Sequence, residues 1–165
     1  MLNQSLLPEF KHEMAQTRKM LERIPFDQAS WQPHARSMTL GQLAVHVAEL
    51  ASWATVIITT KELDFATFDY KPFAPHSTAH LLEHFDQNVE KALETLAGAS
   101  DETLLQPWSL RRGEQVFFTM PRMAAIRTMA MNHLIHHRGQ LSVFLRLKEV
   151  PVPGMYGPSA DDVMR

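Results

Sequence analysis

The 165-residue sequence contains no cysteine. That absence removes disulfide frameworks, Cys-ligated zinc and thiol nucleophiles together. Glycine is scarce, at six residues, and many tight turns between short strands would require more of it. Charge is not concentrated either. Sixteen Lys and Arg stand against eighteen Asp and Glu, and no basic run exceeds the pair Arg111-Arg112. Phosphate neutralisation needs clustered cations, so no nucleic-acid partner is expected. The longest mostly apolar stretch, residues 50–58, falls short of the roughly 20 residues of a membrane span, so no membrane partner is expected. The first residues lack the charged start, apolar block and small-residue cleavage site of a signal peptide. The expectation is one soluble domain over residues 1–165, cytoplasmic.

What is present is helical periodicity punctuated by proline. The ten prolines leave long free windows at 34–71, 76–106 and 122–150, with 9–24 nearly as long. Proline breaks helix interiors, so four helices are expected. The first covers about 4–24, with Leu6, Phe10, Met14, Thr17, Leu21 and Ile24 on one face and Lys11, Glu13, Arg18 and Lys19 off it. The second starts near Thr39 and carries Leu40, Leu43, Val47, Leu50, Ala54 and Ile57 on one stripe. The third is capped by Ser77 or Thr78, buries Leu82, Phe85, Val89, Leu93 and Leu96, and stops at Gly98. The fourth, about 122–148, has Pro121 at its first turn. Residues 62–75 read as a long crossover loop, and 108–118 as two short extended pieces around a turn. The tail from Val150, rich in Pro and Gly, must lie over the surface. The fold class expected is all-α, a four-helix bundle with a long crossover loop, a small hairpin and a Pro/Gly-rich tail.

Nine histidines carry the chemical interest. Successive helical residues turn by about 100°. With the fourth helix's apolar face centred on Ile126 and Phe144, His133 and His137 fall about 20° to either side, and His136 about 80° away at the rim. Two imidazoles in the middle of a buried face are either hydrogen-bonded core residues or ligands of a shared metal. His46 of the second helix lies about 60° from its stripe centre, on the flank shared with Trp53 and Ile57, where it can reach a facing helix. One His from that helix and an i, i+4 pair from the fourth make three nitrogen ligands, which leaves a position open for water as in catalytic sites. His76, His80 and His84 also step by four, but the last two share a face with Gln87, Asn88 and Lys91 and read as a solvated face. His12 and His34 sit in polar surroundings.

Other chemistries find no support. No GxSxG, Gly-rich phosphate loop, GxGxxG or HExxH occurs. The ten methionines read as adaptable core packing. A di-iron carboxylate bundle would need inward ExxH pairs, whereas Glu49 follows His46 in the reverse order and stands alone. No strong general base is evident.

The run from Asn132 to Arg146, containing His133-Leu-Ile-His136-His137-Arg138-Gly139-Gln140, resembles the HxxxHRGQ-type signature of the DinB family, a family distinct from the DNA polymerase of that name. The following Val152-Pro-Gly-Met-Tyr156-Gly-Pro-Ser159 resembles the family's tail. The stretch from Ser37 to His46 resembles the segment bearing its first metal histidine. The resemblance implies an up-down-down-up four-helix bundle, usually dimeric. It also implies a divalent metal, often nickel or zinc, held by three histidines that match His46, His133 and His137. Related members include thiol-dependent S-transferases and proteins suggested to be metal-dependent hydrolases. The lack of cysteine fits an external low-molecular-weight thiol and hydrolysis equally. Gly139 suggests a close approach between helices.

The leading expectation is a metal-dependent enzyme acting on a small molecule, as a homodimer, with an apolar patch on the first and fourth helices compatible with pairing. His46, His133 and His137 would hold the metal, Gln140 would hydrogen-bond a ligand, and Trp53 would wall the pocket. The alternative is a non-enzymatic dimeric bundle that binds metal or senses a small molecule. A third reading is a plain bundle with satisfied core histidines and no metal.

Overall fold

The computed structural model describes residues 1–162. Four helical runs form its frame. The first is α1 (Leu2–Leu21). The second is α2 (Leu40–Glu49), continued through a 3-10 turn at Leu50–Ser52 into α3 (Trp53–Thr59). The third is α4 (Thr78–Gly98), followed by a short α5 (Asp101–Leu105). The fourth begins as α6 (Arg122–Ala125), widens into a π-helical stretch at Ile126–Asn132, and runs on as α7 (His133–Leu147). Local chemistry sets the starts. Thr39 and Gln42 form a reciprocal capping box at α2, and Ser77 accepts from the His80 backbone N–H at α4.

The all-α expectation is overturned. The fold is mostly helical (59%) yet contains a three-stranded mixed sheet (10% strand), which makes it α/β. The expected hairpin is present as β2 (Pro107–Arg112) and β3 (Gln115–Pro121), antiparallel, turning at Gly113 with φ 57°. A third strand, β1 (Glu62–Asp64), lies where a crossover loop was expected. It pairs parallel with β2, Leu63 opposite Leu110. Parallel strands need a long crossover, here supplied by α4, so the pairing is non-local. Three residues are also too few to show alternation. Asp64 fastens the junction by accepting the backbone N–H of Gly113 at 2.8 Å and lying 3.5 Å from Arg111.

The second helical run also differs from expectation. Because the 3-10 turn does not interrupt it, the run Leu40–Thr59 reaches 20 residues at mean hydropathy 1.3, long and apolar enough by length and composition to cross a membrane. Half of it is buried in the core of this fold. Its end is sealed by Arg122, 6% exposed, whose guanidinium donates to the carbonyls of Ile57, Ile58 and Thr60. These are the orphan acceptors of a helix C-terminus. The fully buried Trp108 donates its indole N–H to Thr60 Oγ1 at 3.1 Å.

The π-helical stretch changes which face of α7 is buried. A π turn holds about one residue more than an α turn, which shifts everything after it by about 100°. The buried line therefore runs Ile126, Ala130, Leu134, Arg138, Leu141 and Leu145. His133, His137 and Phe144, expected near its centre, stand half-buried on its flank. Arg138 holds the central place, 2% exposed, and pairs with Glu13 of α1 at 2.7 Å. Glu13 was expected off the apolar face and is buried instead. On α4 the buried line is Leu81, Phe85, Ala92 and Leu96, rotated toward Asn88 and His84 relative to the expected stripe. Gly139 is exposed, and a Cβ there would meet nothing within 4 Å, so no close helix approach explains it.

Replacing Arg122 with Met should destabilise the protein by about 1–3 kcal/mol, because three helix-end carbonyls, that of Ile57 in a buried bond, lose their donor. Urea unfolding checks this, and an unchanged midpoint would contradict the capping role.

Candidate metal centre

The structure brings three of the nine histidines together. His46 enters from α2, and His133 and His137 from successive turns of α7. Their potential donor nitrogens all lie within 4.8 Å of one another, and all three rings are half-buried. His46 Nε2 and His133 Nε2 stand 3.4 Å apart. Ring centroids are 5.1 Å apart for His46–His133, 4.5 Å for His46–His137 and 4.7 Å for His133–His137. Among the described residues, no other three His, Asp or Glu side chains converge in this way.

Burial lowers two of the three imidazoles. It pushes the His46 imidazole down to about 4, helped by the charges that His137 and His133 would carry. His133 is lowered as well, chiefly by burial and then by His137, partly opposed by the Met129 carbonyl. Its Nδ1 is buried and makes no hydrogen bond of normal geometry. Gln140 lies at the surface beside His137. Its Oε1 accepts from His137 Nδ1 at 2.7 Å while its Nε2 donates to His136 Nε2 at 3.1 Å. As oriented, that bond requires a proton on His137 Nδ1 and directs Nε2 away from Gln140.

The donor set fits a metal ion. Three imidazole nitrogens suit zinc, nickel and their neighbours and do not suit calcium or magnesium, which want oxygen. Zinc–nitrogen bonds of about 2.0–2.1 Å in tetrahedral sites place two ligand nitrogens about 3.3–3.4 Å apart. The spacing of one pair, His46 Nε2 to His133 Nε2 at 3.4 Å, agrees with that distance, and the full set of three lies within 4.8 Å.

A cavity of about 760 Å³ opens beside the cluster, with His46, His133, Trp53, Met129 and Phe65 in its walls. A second, of about 550 Å³ and lined mainly by apolar side chains such as Phe26, Met38 and Val45, also reaches His46. Tyr70 borders both. The crossover segment that carries it is fastened by Glu49, which accepts from Tyr70 OH at 2.5 Å and from the Phe73 N–H at 3.3 Å. Burial, and then Glu49, push the Tyr70 phenol up to about 12.

Two residues near the cluster were missed. Glu49 was set aside because its order relative to His46 is wrong for an ExxH motif, yet it lines the larger cavity. Its position three residues after His46, on the same helix face, was the available signal. His84 was read as solvated. Instead it lines the cavity and stacks on Phe73, with ring centroids 3.9 Å apart and planes 11° from parallel. His76 and His80 pack against each other at 4.3 Å.

A mixed α/β fold built on four helical runs, with a three-histidine cluster between two of them, defines the class. The sequence model of the DinB family matches residues 1–164, and the chain belongs to that family. It is similar to the uncharacterized protein YrdA of Bacillus subtilis (strain 168), at 24% identity over 156 residues, 94% of this chain and 89% of that one. Among solved structures it is similar to the DinB-like protein YjoA of Bacillus subtilis, with TM-score 0.70, 22% identity, and 92% of this chain and 97% of that chain covered. A DinB-like protein from Bacillus cereus ATCC 10987 gives TM-score 0.67, 25% identity, and 91% and 95% coverage.

The metal-free protein should lose stability as pH falls from about 6.5 toward 4. Over that window the unfolded chain binds protons that folded His46 refuses, and above it the contribution is constant. Urea midpoints across this range should fall more steeply for the parent than for His46→Gln. Parallel slopes would contradict the burial of a neutral imidazole.

Proposed function

We propose that this protein is a divalent-metal-dependent enzyme acting on a small molecule, with zinc or nickel held by His46, His133 and His137. The observation that carries the reading is the convergence of three imidazole nitrogens, those of His46 and His133 held toward the neutral form by burial, at the edge of a cavity large enough for a small-molecule substrate. When bound, such an ion lowers the pKa of a coordinated water or thiol toward neutrality.

The chain's own residues supply the rest. Gln140 orients His137 through its Nδ1. Trp53 walls the larger cavity. Glu49 is the carboxylate best placed to take up a proton from the substrate. The other acidic residue lining that cavity, Asp69, is exposed and lies 3.3 Å from Lys71. Proton uptake at Glu49 Oε2 would loosen its bond with Tyr70 and so the segment that borders both cavities. Two cavities sharing His46 favour transfer between two bound molecules, with an external low-molecular-weight thiol as one of them, over hydrolysis of a single substrate. The same reading takes the protein as a cytoplasmic homodimer with no nucleic-acid or membrane partner.

The test is a screen of thiols with small electrophiles, and of esters and amides, using chelator-stripped and reconstituted protein. Turnover should return with added zinc or nickel and be missing from His133→Ala. Undiminished turnover in the stripped protein would contradict metal dependence. Gln140→Leu should keep the fold and weaken metal affinity by about 10–100-fold, read by competition with a chromogenic chelator. Parental affinity would remove Gln140 from the account.

A further inference from the structure

We propose that Arg138 is a positioning residue that sets the rotation of α7, and that Tyr156 of the tail locks it there. The inference rests on the metal-centre reading and extends it to residues outside the cluster. Arg138 directly follows His137, about 100° further round the helix, and is buried in the core. Its guanidinium donates to Glu13 Oε2 at 2.7 Å, to the Glu13 carbonyl at 3.0 Å and to Thr17 Oγ1 at 3.0 Å, all on α1. Its fourth partner is Tyr156 OH at 2.7 Å, and that hydroxyl also lies 2.7 Å from Glu13 Oε2. The Tyr156 ring sits 5.4 Å from the guanidinium carbon.

A planar fork with four fixed partners on a neighbouring helix and the tail leaves α7 little freedom to turn. The tolerance of the cluster is small. Turning a helix by about 10° moves an atom about 6 Å from its axis by about 1 Å. Metal–ligand distances allow only about 0.2 Å. Hydrophobic contacts alone do not fix rotation that tightly, because they are non-directional. The tail is itself pinned. Asp161 accepts from the Val152 N–H at 2.8 Å and pairs with Arg146 at 2.5 Å, and Asp162 accepts from the backbone N–H groups of Ser159 and Gly154 at 2.7 and 3.1 Å. A Cβ on Gly154 would collide with the Asp162 carboxylate and the Gly157 carbonyl. Tyr156 is thus delivered to the network by a rigid turn, although its ring is largely exposed.

The experiment compares the full-length parent with Arg138→Lys, Tyr156→Phe and, as a destabilised control remote from the network, Leu96→Ala. Zinc affinity is measured by chelator competition at a temperature where each is folded, together with the visible spectrum of the cobalt-loaded proteins. Arg138→Lys and Tyr156→Phe should each weaken zinc binding by about tenfold or more and alter the cobalt spectrum. Leu96→Ala should unfold at lower urea yet bind like the parent. If Arg138→Lys does not fold, Tyr156→Phe, which removes only the hydroxyl that meets Arg138 and Glu13, carries the test. Parental affinity and spectrum in the positioning variants would overturn the proposal, as would an equal loss in Leu96→Ala. A parent that binds no metal would overturn the metal-centre reading, and this inference with it.

Discussion

An arginine in the middle of a helix's buried line is a demanding constraint, and much of this structure is arranged around it. Taking Arg138 out of water is tolerable only because Glu13, Thr17 and Tyr156 meet its donors. Breaking such a pair leaves an uncompensated buried charge, which typically costs about 3–5 kcal/mol. The requirement joins α1, α7 and the tail at one point. It also explains the folded tail, whose turn at Gly154 serves to bring Tyr156 to that point.

Arg138 occupies the centre of the line because of the π-helical stretch before His133. Without the extra residue in that turn, the histidines would face the core and the arginine would point away from α1. With it, His133 and His137 stand on the flank toward His46, half-buried beside a cavity. Half-burial suits a metal centre. It is deep enough to keep His46 neutral at pH 7 and shallow enough to leave an open side. A fully buried cluster would have left no room for substrate.

The helical frame was legible in the sequence because proline and capping residues act locally. Three of the windows free of proline hold the later runs, the first run starts ahead of its window and takes in Pro8, and Thr39 and Ser77 cap where expected. The closeness of His46, His133 and His137 was also within reach, since i, i+4 spacing survives a rotation of the whole helix. What could not be read was non-local or collective. Leu63 gives no sign that it will pair with Leu110 across α4. The π stretch, Ile126-Arg-Thr-Met-Ala-Met-Asn132, contains no proline or glycine that announces a register shift. Glu13 looked like surface because its partner, 125 residues away, was itself unrecognised as core. Glu49 was hidden by a motif test that asked for order, when shared helix face was the relevant property.

Metal dependence is the claim on which the functional account stands, and the metal content of the purified protein tests it most directly. Untagged protein prepared without a nickel column should contain about one zinc or nickel per chain by elemental analysis, and His133→Ala should contain little. A parent that stays metal-free even after incubation with zinc and nickel would contradict the account, as would a His133→Ala protein that carries as much metal as the parent.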